Sequence, residues 1–593
     1  MSSTRKKTHL AVVQMKVLLL GATGEEPSFQ AWRVALAREG TPFVAIALGT
    51  ERMPSVLVDE LGRSSFQAVI LATGELLEQS LGSSHRHALE QLEHEFGLRR
   101  LIAHAYPCAA VGLQRPAWAG PLDGISATLT PAGRRVFAYL RLTVPIDSGS
   151  WGYLARPASE ERFETLVAAP DGSALVGIHR RQDGGEEMVQ TVAANPGQTH
   201  SQLLRHGQLA WVTRGAYLGY ERNYLSLHVD DVLLPNRVPD VAASMSDSGS
   251  GGLIRMSAQD ALHTARWSQA NQLRLELVCN GAGSERHARE IGVEQDPLLA
   301  ALLRERDTFG WVNHTYEHIL LDDASRATIE AEVARNVSWA REVGIELEPR
   351  ALVTGGHTGL ANLAATPPRG ENPELAPALR AQGVRFIACD ASRPYPVHPQ
   401  DPVGPRLPAG TPFAVGDAIA VPRYPTALAW YAASEQQALD ALRSAHAADP
   451  PGSWETLVIR ESRRILTLLL GNDPRPHYFH QSNLAGADRP GIMCALIDAV
   501  LGLYRRLIAT DVPIVQPKLA EVGELLVRWA AWREALASGS IDAYADHEQL
   551  TIVNRASTVL DVPLTGTRVG SEYGGTRSGW VRASPGETVV RVG

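Results

Sequence analysis

Two adjacent carboxylates, Asp230 and Asp231, close an apolar run in the segment LHVDDVL, residues 227–233. Neighbouring side chains of a strand point to opposite faces, so two acids in a row mark the place where a strand gives way to a loop. Taken alone, an Asp-Asp pair is more often a solvated turn than a site. Two later signals shift that balance. Residues 313–318 read NHTYEH, and His314 and His318 stand at the spacing that puts two imidazoles on one face of a helix, where they can share a cation. Thr315 occupies the place of the metalloprotease glutamate, so the pattern is not that of a zincin. Asp231, His314 and His318 together make a two-histidine, one-carboxylate donor set. Catalytic zinc and ferrous iron sites use such sets because they leave positions open for water and substrate. Asp230, beside a ligand but free of the cation, is placed to take a proton from the attacking water. The third signal is HYFHQSNL, a strand-like run that ends at His480. A histidine there can give a proton to a leaving group; read alone, it is more often a buried or rim residue.

Chemistry at strand ends is what α/β sheets and barrels provide, and the surrounding text fits one. Residues 220–540 alternate strand-like runs (YLSLHVDDVLL, RLELVCN, FGWVNHTYEH, ALVTGG, FIACDAS, AIAVPRYP, HYFHQSNL) with helical text, predicting a (β/α) barrel, complete or partial. Residues 1–110 read as a small Rossmann-like α/β domain built on KVLLLGA, FVAIAL and AVILAT. Its GATGEEP segment opens like a dinucleotide loop but lacks the third glycine and a clear acid at the second strand end, so nucleotide binding is not expected. Residues 111–219 carry short apolar runs between turn residues and predict a β-sandwich. Trp118, Trp151, Tyr153 and Trp211 are candidates there for stacking on sugar rings, although any one of them is more often a core or rim aromatic. Residues 541–593 are β again, as a cap or the completion of a sandwich.

In this order and at these strand ends, the set resembles the polysaccharide deacetylases of the NodB homology type. Their motifs begin with T-F-D-D, continue with H-x-x-x-H and finish with an L-x-H histidine. Here the first reads HVDD, the second is intact and the last is FHQSN. The wording is similar to the branch acting on galactosamine-rich exopolysaccharides in fungi, with a related domain in bacterial Pel polysaccharide deacetylases. The resemblance covers about 220–510 in detail, and the β-rich stretch before it is similar in arrangement to that branch's carbohydrate-binding domain. It implies Asp230 as general base, and Asp231, His314 and His318 as ligands of a divalent metal, zinc first among the candidates. It further implies His480 as general acid, oriented by Asp390, which as a residue fits equally a turn acid capped by Ser392. The family's arginine that steers the base is not found as such; His357 in TGGHTGL and Arg423 in VPRYP are the candidates. With Trp211 these two are expected on the substrate side of the site.

The implied activity is hydrolysis of N-acetyl groups on an N-acetylgalactosamine-rich polymer, releasing acetate and a cationic polymer. A small-molecule amidohydrolase with the same site and a non-catalytic carbohydrate-binding protein stay open as alternatives. A glycoside hydrolase, with two carboxylates about 5 to 10 Å apart, would leave the histidines without a role.

The 593 residues carry a formal net charge of -8, which speaks against nucleic acid as a partner. No apolar stretch reaches the roughly 18 to 20 residues of a membrane span. Cys108, Cys279, Cys389 and Cys494 are far apart, giving neither a zinc ribbon nor a disulfide scaffold. The basic start is followed by an apolar run broken by Gln14 and Lys16, so no clear signal peptide is read. The resemblance implies an extracellular or cell-surface protein, with a cytoplasmic one still open and the oligomeric state not legible.

Overall fold

The computed structural model describes residues 12–76, 81–239, 252–393, 414–445, 450–486, 490–546 and 548–593. The basic start of the chain, weighed above as an export signal, lies outside the described residues. Seven of the apolar runs form parallel strands: β1 (Leu227–Asp230), β2 (Leu275–Cys279), β3 (Gly310–Asn313), β4 (Ala351–Leu352), β5 (Phe386–Asp390), β6 (Ala418–Pro425) and β7 (His477–His480). Each pairs with its successor, and β7 pairs with β1, so the ring closes. This is the predicted barrel, and closure leaves no open edge among these strands. Every residue of β1, β2, β3 and β5 is buried, as strands covered on both faces require, and their Leu, Val, Ile and Phe content follows from that.

The crossover helices are set by their ends. Ala258–Asn271 starts from a Ser257/Asp260 capping box, Trp454–Leu469 from Ser453, and Arg326–Val343 runs from Ser325 to a left-handed Gly344. Inside the ring Val278, Val312, Val353, Phe386, Ala388 and Val421 pack with Leu519, Val522 and Leu526 of the helix Leu519–Ala537. That helix lies against the strand starts, and a Cβ at Gly523 would come within 2.1 Å of the Phe386 ring. One end of the barrel is thereby packed, which leaves the strand C-termini for chemistry.

The first half departs from the expected division. Phe43–Ala47, Val17–Gly21, Ala68–Leu71 and Arg99–Ile102 make the parallel α/β sheet. Glu186–Gln190 then pairs in parallel with Arg99–Ile102, and the sheet runs on through Ala174–Arg180, Phe163–Ala168, Ser126–Leu129 and Thr143–Pro145 to nine strands. The boundary drawn at residue 110 therefore falls inside one sheet, and residues 126–190 extend it instead of building a sandwich of their own. Alternation along a strand reveals its buried face but not its partner, which here comes from far along the chain. The tail forms two four-stranded sheets, one including Val13–Gln14 and the other Tyr217–Leu218. In the GATGEEP turn the Glu26 carboxylate accepts from the amides of Ala22 (2.5 Å) and Thr23 (2.9 Å), filling the cradle a phosphate would use.

A buried ionic cluster joins the sheet's helices to the linker that leads into the barrel. Arg205 donates to Glu221 at 2.6 Å, His206 Nδ1 lies 2.8 Å from Glu221 and 3.1 Å from Glu39, and the Tyr217 hydroxyl donates to Glu39 at 2.7 Å. Burial pulls the His206 pKa down, but Glu39 and Glu221 outweigh it and bring it up to about 10. Among the described residues no helix is long and apolar enough to cross a membrane.

Candidate metal and catalytic site

Asp230 is the last residue of β1, and Asp231 turns out of the strand with φ +62°, which re-aims its carboxylate. Thr315, His318 and His357 share this left-handed backbone, so four of the seven non-glycine residues with positive φ among the described residues stand at the site. Each such conformation costs about 1 to 3 kcal/mol and persists where the surroundings enforce it. The four-residue spacing of His314 and His318 is therefore not helical, contrary to expectation: the segment is a loop after β3, and the next helix starts at Arg326. Left-handed turns at Thr315 and His318, not a helix face, bring the rings to 4.8 Å between centroids.

Both imidazoles converge on one oxygen. His314 Nε2 and His318 Nε2 each lie 3.2 Å from Asp231 Oδ1. The other nitrogen of His314 donates to the Val353 carbonyl at 2.8 Å, which leaves Nε2 as a bare lone pair. Asp231 Oδ2 accepts from Asn236 at 2.9 Å, and Asn236 in turn accepts from Gln481 at 2.8 Å. Asp231 Oδ1 is buried without a hydrogen-bond donor. A lone pair facing a carboxylate oxygen at this distance is repulsive unless positive charge lies between them. The three ligand atoms are within 4.8 Å of one another, and the outer amides fix the carboxylate, so these residues fit a divalent cation.

The neighbouring acid is held differently. Arg423 donates to both oxygens of Asp230, at 2.7 and 2.8 Å, and its Nη2 also lies 2.8 Å from His357 Nε2. Burial raises the Asp230 carboxyl, yet the Arg423 guanidinium outweighs it and holds the group well below the usual carboxylate range. Burial and Arg423 keep His357 well below its ordinary value, so its Nε2 accepts from the guanidinium. Of the two residues considered for steering the acid, Arg423 grips it and His357 braces Arg423. Both are buried.

His480 ends β7 in register with Asp230, and burial holds its pKa below the ordinary value against the pull of Asp231 and Asp230. Asp390 ends β5; its Oδ1 accepts from the Ser392 amide (2.8 Å) and hydroxyl (2.7 Å), and its Oδ2 from the Tyr478 hydroxyl at 3.3 Å. The expected Ser392 cap is thus present, and a route from Asp390 to β7 runs through a tyrosine. Trp211 sits elsewhere. It lies on the helix Thr199–Val212 of the first half, its ring covered at 4.5 Å by Arg99, which also donates to its carbonyl. Trp118 and Trp151 are exposed on the ribbon Trp118–Pro121/Trp151–Leu154, and Tyr153 packs between His104 and Tyr106. Sequence reasoning missed Asn236, Gln481, Tyr478 and the exposed Trp430, whose ring is 6.5 Å from His480. Single polar or aromatic residues carry no spacing signal; only the contacts reveal them.

Residues 286–513 match the family model of the Agd3 deacetylase domain. Over this stretch the chain is similar to that domain family. Over the whole chain the fold is similar to the crystal structure of Agd3, described as a novel carbohydrate deacetylase, with a TM-score of 0.81 at 18% identity, covering 98% of this chain and 99% of that one. The Agd3-type likeness therefore extends to the sheets on either side of the barrel. A family 4 carbohydrate esterase from Streptomyces lividans aligns with 50% of this chain and 100% of its own, at 12% identity and a TM-score of 0.24. The Bc1960 peptidoglycan N-acetylglucosamine deacetylase aligns with 50% and 88%, at 10% identity and a TM-score of 0.24. No curated protein matches the chain.

Proposed function

We propose that the barrel removes N-acetyl groups from an amino-sugar polymer, an N-acetylgalactosamine-rich exopolysaccharide, releasing acetate and a cationic polymer outside the cell or at its surface. The observation that carries this reading is the pairing of two unlike carboxylates: Asp231 facing the Nε2 atoms of two histidines, and Asp230 clamped by Arg423. Asp231, His314 and His318 would hold the metal. A divalent cation there, zinc by its borderline donor set, would polarise the acetyl carbonyl and acidify the attacking water, which suits a base as weak as Asp230. Arg423 keeps Asp230 ionised and fixes the direction in which it accepts the water's proton. His480, across the register from Asp230, delivers a proton to the nitrogen as the amide bond breaks. The exposed Trp430 beside His480, and the Trp118 and Trp151 ribbon, offer apolar faces for sugar rings.

The test is acetate release from N-acetylgalactosamine and N-acetylglucosamine oligomers and from the monosaccharides, alongside metal analysis of the purified protein. Acetate from the oligomers with a stoichiometric divalent metal supports the reading. Release from monosaccharides alone would move it to a small-molecule amidohydrolase, and neither metal nor acetate would end it.

A further inference from the structure

Strand alternation puts Tyr478 and His480 on the same inward face of β7, with Phe479 buried on the other. The Tyr478 side chain meets four groups from four different segments. The guanidinium carbon of Arg423 lies 4.5 Å from its ring centroid, a cation–π contact. The His357 ring is 5.4 Å away at 72° and the His480 ring 6.0 Å away at 64°, both edge to face. Its hydroxyl donates to Asp390 Oδ2 at 3.3 Å. Arg423 holds Asp230 and His357 braces Arg423, so one ring touches both the clamp of the base and the proposed acid. In the L-x-H motif that this segment resembles, the position is a leucine. A leucine offers neither a π face to a guanidinium nor a hydroxyl to a carboxylate.

We infer that Tyr478 is a positioning residue of the deacetylation site: its ring sets the separation of Arg423 and His480, and its hydroxyl ties that ring to Asp390, which acts on the acid through the tyrosine. The inference rests on the deacetylase reading. Its two parts affect different steps. In amide hydrolysis a water O–H bond and the C–N bond break and a C–O bond forms; Asp230 takes the water's proton and His480 supplies one to nitrogen. In hydrolysis of an aryl acetate the aryloxide leaves as the anion, so no proton is needed at the leaving atom. The hydroxyl of Tyr478 therefore matters for the amide, and its ring, through Arg423, for both substrates.

The experiment compares Tyr478→Phe, Tyr478→Leu and Asp390→Asn on an N-acetylhexosamine oligomer and on para-nitrophenyl acetate, with metal content and melting temperature as controls. Tyr478→Phe should lower kcat on the amide by about 10- to 100-fold with KM unchanged, and alter the ester rate by less than about threefold. Asp390→Asn should match it, and the double variant should be no worse than either single one. Tyr478→Leu should lower both rates at least about tenfold. Equal loss on both substrates in Tyr478→Phe, no loss on either, additive effects in the double variant, or an unchanged ester rate in Tyr478→Leu would overturn the inference. A wild-type protein inactive on both substrates would instead overturn the deacetylase reading itself.

Discussion

Asp230 and Asp231 are chemically identical neighbours with opposite partners, one held by a guanidinium and the other facing two imidazole nitrogens. They should fail differently. Asp231→Ala or His318→Ala removes one of three donors, so purified protein should lose its divalent metal. Asp230→Asn should retain the metal and lose about 100- to 10,000-fold in kcat, the range spanned by a general base. Elemental analysis beside acetate release separates the two cases, and full activity in Asp230→Asn would refute the assignment. Arg423→Lys keeps the charge but cannot donate to both oxygens in a fixed fork. It should reduce kcat by at least about tenfold with the metal unchanged, whereas Arg423→Leu, which strands a buried carboxylate, should cost about 3 to 5 kcal/mol of stability in denaturant titration.

At the scale of elements, the site is a set of strand ends and the turns that follow them. Positive φ at Asp231, Thr315, His318 and His357 turns side chains that strand or helix geometry would send elsewhere. The opposite end of the barrel is fixed by close packing of the helix Leu519–Ala537. Replacing a helical glycine with alanine usually stabilises, by about 1 kcal/mol. At Gly523 the new Cβ would lie 2.1 Å from the Phe386 ring, so the sign reverses. Gly523→Ala should destabilise by about 1 to 3 kcal/mol, read from the denaturation midpoint, with Asp231, His314 and His318 untouched.

At the scale of the molecule, the nine-stranded sheet, the barrel and the two tail sheets are tied through the residues between them. His206 is the titratable centre of one such tie, facing Glu39 from one helix, Glu221 and Tyr217 from the linker, and Tyr139 from the sheet half, with Arg205 beside it. Its pKa is raised from 6.5 to about 10 on folding. A raised value means that the stabilisation is fully present below the unfolded pKa and is lost as pH climbs through the folded one. Melting temperature should therefore fall between pH 6.5 and about 10. His206→Gln should start lower and show a flatter decline over the same window; an equal slope in both proteins would refute the tie.

The barrel and the candidate residues at its strand ends were legible in the sequence, because both depend on local pattern. Seven buried parallel strands announce themselves as apolar runs, and HVDD, NHTYEH and FHQSN mark three of their ends. Three things were not legible. The partner of the Arg99–Ile102 strand is a distant segment, and strand pairing leaves no trace in either strand's own text. Which of the two candidates, Arg423 or His357, grips Asp230 is the second, because Arg423 and Asp230 are 193 positions apart and become neighbours only when the ring closes. Tyr478 is an ordinary strand residue until its register places Arg423, His357, Asp390 and His480 around one ring. The sequence alone determined which groups could do the chemistry, since side-chain type and spacing are written in it. Which group holds which was decided by the tertiary structure, because contacts between distant strand ends are set by closure and register.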